Sequence, residues 1–429
     1  MSFSNKIVWL LFFLILSENG LSNDDFSGTP FVINYPRAEY EGGSQTWDIQ
    51  QGANGMMYFA NNNGLLEFDG VNWNVYNLPN NSNLRSIRSG SDGILYAGGY
   101  NEMGYYSLGE SGGAVFTSFK HLVPEEFSNF GDVWKIFIHP DGVIFQTYTQ
   151  LMLYNGNSIK VIESSSDFHF SFMINKEYYV NDMKNGLMRY AMGELFPLKG
   201  MEPLIGKEIW GILPLNNRLL IATASDGTYI YNGNSLQPIF DQSTDFLKKN
   251  QIYSTRLLEN DRVVYGTIQN GILICDENGK PLKHLNMDDG LQNNTILCIA
   301  VDYLGNLWLG TDHGIDYIKV NSPLTRISNN YGLSSGYAAT LKEDRLYLGT
   351  NQGLFTQKSD VFNSVLVDRK KMSLIDETKG QVWSLSDIDG TLFCGHNNGA
   401  FIIEGSDAKK ISDIQGAWTF IQVPNLPNK

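Results

Sequence analysis

The sequence predicts an all-β chain, a β-propeller of four-stranded antiparallel blades. Three observations predict it. A motif recurs about nine times, each copy is a hairpin preceded by a further strand, and no long stretch carries helical periodicity. The sharpest copy is GNLWLGTDHGIDYI, Gly305 to Ile318. Weaker copies begin at Asn54, Asp92, Asp141, Lys176, Asn217, Asp261, Asp344 and Asp389, spaced by roughly 34 to 49 residues, a period suited to propeller blades.

Each copy reads as two short strands of alternating polarity joined by a turn rich in Gly, Asn and Asp, the signature of a hairpin. Upstream lies an inner strand, usually opened by an aromatic residue: Trp47, Trp134, Trp210, Tyr253 and Trp383. In the sharpest copy the inner strand is ILCIAV, Ile296 to Val301, and the segment LTRIS, Leu324 to Ser328, is expected to supply the outer strand. Such a blade cannot cover both its faces alone, whereas blades packed in a ring cover them and leave only short edges. Seven blades of about 40 residues would close one ring near Asn330. Copies eight and nine, and an apparent tenth from Gly416 (GAWTFIQV), fall outside that ring. The expected organisation is a signal peptide over 1–22, a first propeller over 23–330 and further blades of an incomplete second propeller over 331–429.

The leading segment has the order of an export signal. Lys6 precedes an apolar core, Ile7 to Leu16, and Gly20-Leu21-Ser22 offers a small-x-small site cleaved after Ser22. Ten apolar residues are too few to span a bilayer, with an uncleaved anchor as the alternative. A periplasmic or extracellular location follows. The three cysteines, Cys275, Cys298 and Cys394, lie in strand patterns and not at metal-ligand spacing, so core thiols are expected, with a Cys275–Cys298 bridge as the alternative. A net charge of −14 without a cluster of Lys or Arg argues against nucleic-acid binding by this chain.

Chemistry is sparse. The sequence has no G-x-S-x-G, H-E-x-x-H, P-loop or Cys/His zinc spacing, and the six histidines are dispersed, so no catalytic residue, metal or cofactor is expected. The acidic run SDIDG, Ser386 to Gly390, is better explained as a strand-to-strand turn than as a calcium loop, since the same D-x-x-G form recurs at Asp302 to Gly305. One positional pattern stands out. His313 and His396 fall in the turn between the second and third strands, where other copies carry Asn61 to Asn63, Asn185, Asp226, Asn270, Asn351 and Gln352. In a ring these turns share a face with the starts of the inner strands. Amides and flat aromatic rings together suit a small neutral, hydroxyl-rich ligand such as an oligosaccharide. The candidate ligand-binding residues are Trp47, Trp134, Trp210, His313, Asn351, Trp383 and His396. The competing explanation is structural: Asn and Gly serve tight turns, and a Trp on each inner strand packs blade to blade.

The pattern G-N-L-W-x-G-T-x-x-G-[LI], preceded by D-x-x-G and by loops such as MDDGLQNN (Met287 to Asn294) and NNYGLSSG (Asn329 to Gly336), resembles the two-component regulator propeller repeat. The run from Phe31 to Trp73 is similar to the opening of propeller sensors of Bacteroidetes type. The resemblance implies an extracytoplasmic, non-catalytic sensor that recognises glycan fragments. It also implies partners: a triple-tyrosine domain, a membrane helix and a kinase or DNA-binding output module beyond the propellers, with a homodimer as one arrangement. The chain stops at Pro427-Asn428-Lys429 in mid-repeat and carries none of those modules, so it is expected to be the propeller part of a longer protein. A secreted propeller lyase or hydrolase and a protein-interaction scaffold are the alternative functions.

Overall fold

The computed structural model describes residues 28–423, apart from 91–92, 110–111, 328–330, 359–364 and 367–370. The expected signal segment lies outside the described residues. Among these, the chain forms nine four-stranded sheets, every pairing antiparallel. No described helix is long and apolar enough to cross a membrane. The described residues divide into two compact units, Pro30–Leu324 and a second built from Thr325 onward together with Gly28 and Thr29.

The repeat motif has a local physical cause, clearest in the sharpest copy. In the D-x-x-G turn the Asp302 carboxylate accepts from the N–H groups of Leu304 and Asn306, both at 2.9 Å, while Gly305 takes a φ of 74°. The threonine that ends the second strand, after Gly or Ala, acts at the next turn. Thr311 Oγ donates to Gly314 O at 2.9 Å and accepts from His313 N at 3.1 Å. Thr223, Thr267 and Thr350 donate to Gly227, Gly271 and Gly353 in the same way. Thr311 is fully buried. Replacing it with Val should cost about 1–2 kcal/mol, because the turn N–H and C=O lose their partner while the shape is kept; the shift of a denaturation midpoint measures this. The glycine before the threonine is a contact point between blades. A Cβ on Gly310 would collide with Cys298 Sγ and lie 2.6 Å from Thr46 O of the next blade.

In the larger unit the inner strands run Thr46–Gln51, Leu84–Ser89, Lys135–His139, Phe168–Ile174, Ile209–Leu215, Ile252–Leu257 and Ile296–Val301. Each neighbours the next, and the last neighbours the first, so seven blades complete a ring. The outer strand of the seventh blade is not LTRIS. It is Val32–Tyr35 from the start of the described chain, paired residue by residue with Ile315–Ile318. The ring is thereby fastened by a strand some 280 residues away in sequence from its partner, which leaves Leu324 to Arg326 outside any sheet strand, with Arg326 bridged only to Thr29.

Aromatic side chains fill that seam. Tyr35 stacks on Trp308 at 5.5 Å and meets Phe68 and Trp73 edge-on at 5.3 and 5.4 Å. The aromatic of the G-N-L-W motif thus joins the seventh blade to the first. Asn34 on the closing strand donates to the buried Asp316 at 2.7 Å, and Gln292 reaches the same carboxylate through its amide at 2.9 Å and its backbone N–H at 3.0 Å. Burial pushes the Asp316 carboxyl up, partly offset by these donors.

The second unit holds two blades, with strands Gly336–Lys342, Arg345–Thr350, Leu354–Lys358 and Ser373–Leu374, then Val382–Ile388, Thr391–His396, Gly399–Glu404 and Asp407–Ser412. The apparent tenth copy does not form a sheet strand over its described residues; Trp418 packs instead on Trp383 at 4.5 Å. The SDIDG segment is the end of the strand Val382–Ile388 and the turn that follows it, with Asp389 and Gly390 at φ 49° and 76° and Asp387 paired to Lys342 at 3.1 Å. All three cysteines are buried free thiols, and burial holds Cys275 and Cys394 up at about 12, so neither is a thiolate near neutral pH.

Candidate ligand site at the centre of the ring

The inner strands share an irregularity that builds the site. In the first blade Thr46 pairs with Asn61 but Asp48 pairs with Ala60, leaving Trp47 as one extra residue. The same one-residue shift leaves out Arg85, Trp210, Tyr253 and Leu297 in blades two, five, six and seven. In the fourth blade it falls across His169–Phe170. The third blade reaches the same place differently, its ladder beginning just after Trp134. A bulge bends a strand and re-aims the unpaired side chain. Repeated around a ring, it brings Trp47, Arg85, Phe170, Trp210 and Tyr253 to the centre, where they line one cavity of about 500 Å³ together with Trp134.

These rings form a connected collar. Trp47 meets Trp134 edge-on at 5.7 Å, and Arg85 lies over both, 4.3 and 5.0 Å from their centroids. Trp134 continues to Phe170 at 6.0 Å, Phe170 to Trp210 at 4.7 Å, and Trp210 stacks on Tyr253 at 3.9 Å. The turns between second and third strands sit beside the collar: Trp47 donates to the Asn62 amide oxygen at 2.7 Å, and Asn62 N donates to Gln45 O at the entry of the inner strand. Corresponding bonds run from Ala224 to Glu208 and from Asp312 to Thr295. The expectation that turns and inner-strand starts share a face is therefore met in this unit.

Further along the cavity the lining becomes charged. Arg88, Lys135 and Arg256 face it together with Asp48. Asp48 is occupied, accepting from Ile49 N at 2.9 Å and Ile87 N at 3.2 Å. Burial pushes both the Arg88 guanidinium and the Lys135 ammonium down; Asp48 partly opposes this, while Arg256 adds to it. Arg85 is paired with Asp132 at 3.1 Å, yet its Nη1 and the Trp134 Nε1 are enclosed without an acceptor.

The sequence-predicted residues separate by unit. Trp47, Trp134 and Trp210 come together in the cavity. His313 is exposed in its turn and does not line it. Asn351, Trp383 and His396 belong to the other unit. There Trp383 is again the extra residue of an inner strand, and Asn351 is exposed in its turn. His396 is buried with both ring nitrogens engaged, one by Thr378 O at 3.1 Å and one by Asn398 N at 2.9 Å. Sequence reasoning missed Arg85, Phe170 and the three cations beyond them, and it named Tyr253 as a strand-opening aromatic without placing it in the site. Register could have found Arg85, which stands in NLRSIRS where the first blade has Trp47 in QTWDIQQ.

The model of the family described as two component regulator propeller matches residues 290–313, the approach to and first part of the sharpest copy. No curated protein matches the chain. The fold is similar to the extracellular domain of the hybrid two component system BT4673 of B. thetaiotaomicron, with 19% identity and a TM-score of 0.56 over 90% of this chain and 54% of that one. It is similar also to the extracellular domain of BT3049 from the same organism, with 17% identity and a TM-score of 0.64 over 87% and 53%. A streptogramin B lyase shares the fold over 68% of this chain and 98% of its own, at 14% identity and a TM-score of 0.53. The chain spans about half the length of the first two. It is a β-propeller protein that carries the two-component regulator propeller repeat.

Proposed function

We propose that this chain is the non-catalytic, ligand-sensing region of an extracytoplasmic signal-transduction regulator, and that the ligand, a small ring-shaped molecule such as a glycan fragment, sits on the aromatic collar of the seven-bladed unit. The observation that carries the reading is the repeated bulge. A fold needs blade-to-blade packing, but it does not need the bulge to aim an aromatic or Arg at the centre in five of seven blades, with Trp134 of the third blade joining them. The likeness to extracellular domains of two hybrid two component systems supports it. The sequence order from Lys6 to Ser22 supports export, and modules beyond the propellers would carry the output. The seven-bladed unit is the first propeller in this scheme, the two later blades the start of a second.

An enzyme reading finds less support at the same place. The imidazole nearest the collar, His169, is buried, its Nδ1 donates to Ile209 O at 3.0 Å, and its ring packs on Phe170 and Trp210. It is held as a neutral structural group. Calorimetric titration with a panel of neutral and acidic oligosaccharides tests the sensing reading. One aromatic stack contributes about 1 kcal/mol, so Trp210→Ala should weaken binding several-fold with the fold retained, while His313→Ala should weaken it less. Binding that is indifferent to Trp210→Ala would place the ligand elsewhere.

A further inference from the structure

The chain carries a net charge of −14, yet the charged side chains lining its central cavity are four cations and one carboxylate. Arg88, Lys135 and Arg256 have no carboxylate within ion-pair distance among the described residues. Asp48, the one acid of the lining, already accepts two backbone N–H groups. Packing does not require this arrangement. Arg88 Nε donates to Ile136 O at 3.1 Å and Arg256 Nη1 to Thr255 O at 3.1 Å, and the remaining guanidinium donors have no hydrogen-bond acceptor among the described residues. Lys135 Nζ lies 4.7 Å over the Phe170 ring, with no hydrogen-bond acceptor among the described residues. Like charges gathered in a walled cavity destabilise one another, and desolvation adds to the cost. An anion would relieve both.

We infer that the central cavity of the seven-bladed unit is an anion site for a carboxylate borne on a ring, the ring lying against the aromatic collar and the carboxylate meeting Arg88, Lys135 and Arg256. The inference rests on the proposed collar site and replaces a neutral ligand with an acidic one. The turn amides that suggested neutrality lie outside the cavity lining, whereas the cations lie within it. Guanidinium groups suit a carboxylate because their forked donors match its two oxygens. The collar suits the flat C–H face of a sugar ring or the face of an aromatic ring equally. Sugar acids and aromatic acids are therefore the two sources, and the probes separate them.

The test is titration of the whole chain with glucuronate, glucose and benzoate at low and high salt, using wild type, the double variant Arg88→Gln/Arg256→Gln, and Arg189→Gln as a surface control. Glucuronate or benzoate should bind, glucose at least tenfold more weakly, and the double variant should lose at least tenfold for the acids while the control loses nothing. A second readout needs no ligand: removing mutually repelling cations should raise the melting temperature of the ligand-free protein, or leave it unchanged. Glucose binding as tightly as glucuronate, unaffected by the double variant but weakened by Trp210→Ala, overturns the anion inference while the collar reading stands. Benzoate binding lost in the double variant upholds the inference even where no saccharide binds. Failure of both acids to bind a folded wild-type protein overturns it.

Discussion

Deleting Val32–Tyr35 should abolish cooperative unfolding of the seven-bladed unit, at a cost on the order of 5 kcal/mol or more. Three losses coincide. The strand Ile315–Ile318 loses its whole outer ladder and becomes an unpaired edge. The seam loses Tyr35 from against Trp308, Phe68 and Trp73, and loses Val32, which packs on the core between the sixth and seventh blades. Asp316 loses the Asn34 donor, and a carboxyl seated in the protein with fewer donors is costly. Because Tyr35 also packs on Phe68 and Trp73 of the first blade, the damage spreads to the contact between the first and seventh blades. Urea denaturation followed by tryptophan fluorescence reads the effect, since Trp73 and Trp308 lie in the seam. A deletion variant with an unchanged midpoint and slope would show that the blades hold together without the clasp.

Lowering the pH from 7 to 4 should remove about 3 kcal/mol through His169 alone. Burial depresses this imidazole to about 4 in the folded protein, with Lys135 adding to the effect and Glu208 and the Ile209 carbonyl opposing it. The unfolded chain titrates near the ordinary value of about 6.5. Between those values the unfolded state binds more protons than the folded one, so stability rises with pH there. The contribution is fully present above about pH 6.5 and is lost progressively down to about pH 4. His396 is depressed in the same direction, while Asp316, raised by burial, acts in the opposite sense at the acid end. The measurement is therefore a difference: denaturation midpoints of wild type and His169→Gln at several values between pH 4 and 7. Gln offers a donor for Ile209 O without a titrating ring, and the two curves should converge as pH falls. Parallel curves would mean that the imidazole is protonated without penalty.

The repeat made much of the site's position readable. Trp47, Trp134 and Trp210 were identified because each opens an inner strand, and a ring places equivalent positions around one centre. Phe170 was passed over because the fourth blade opens FHFSF, where aromatic residues at alternate positions hide which one the bulge turns inward. Arg88, Lys135 and Arg256 read singly as ordinary solvated charges. Only the ring shows that three different inner strands bring them into one cavity.

What the sequence alone determined is local: four strands to a blade, an Asp-led turn before the second strand, a Gly- and Asn-rich turn after it, and in most copies an aromatic at the inner strand's start. Each follows from side chains bonding or packing within a few residues of themselves, and such interactions leave a short-period pattern. What only the tertiary structure decided is long-range. The choice of Val32–Tyr35 over Leu324 to Ser328 as the outer strand of the seventh blade depends on a pairing across nearly the whole unit, where Tyr35 fills an aromatic seam and Asn34 meets a buried carboxyl. The charge of the cavity was decided at the same level, because the field at the centre of a ring is the sum over all its blades.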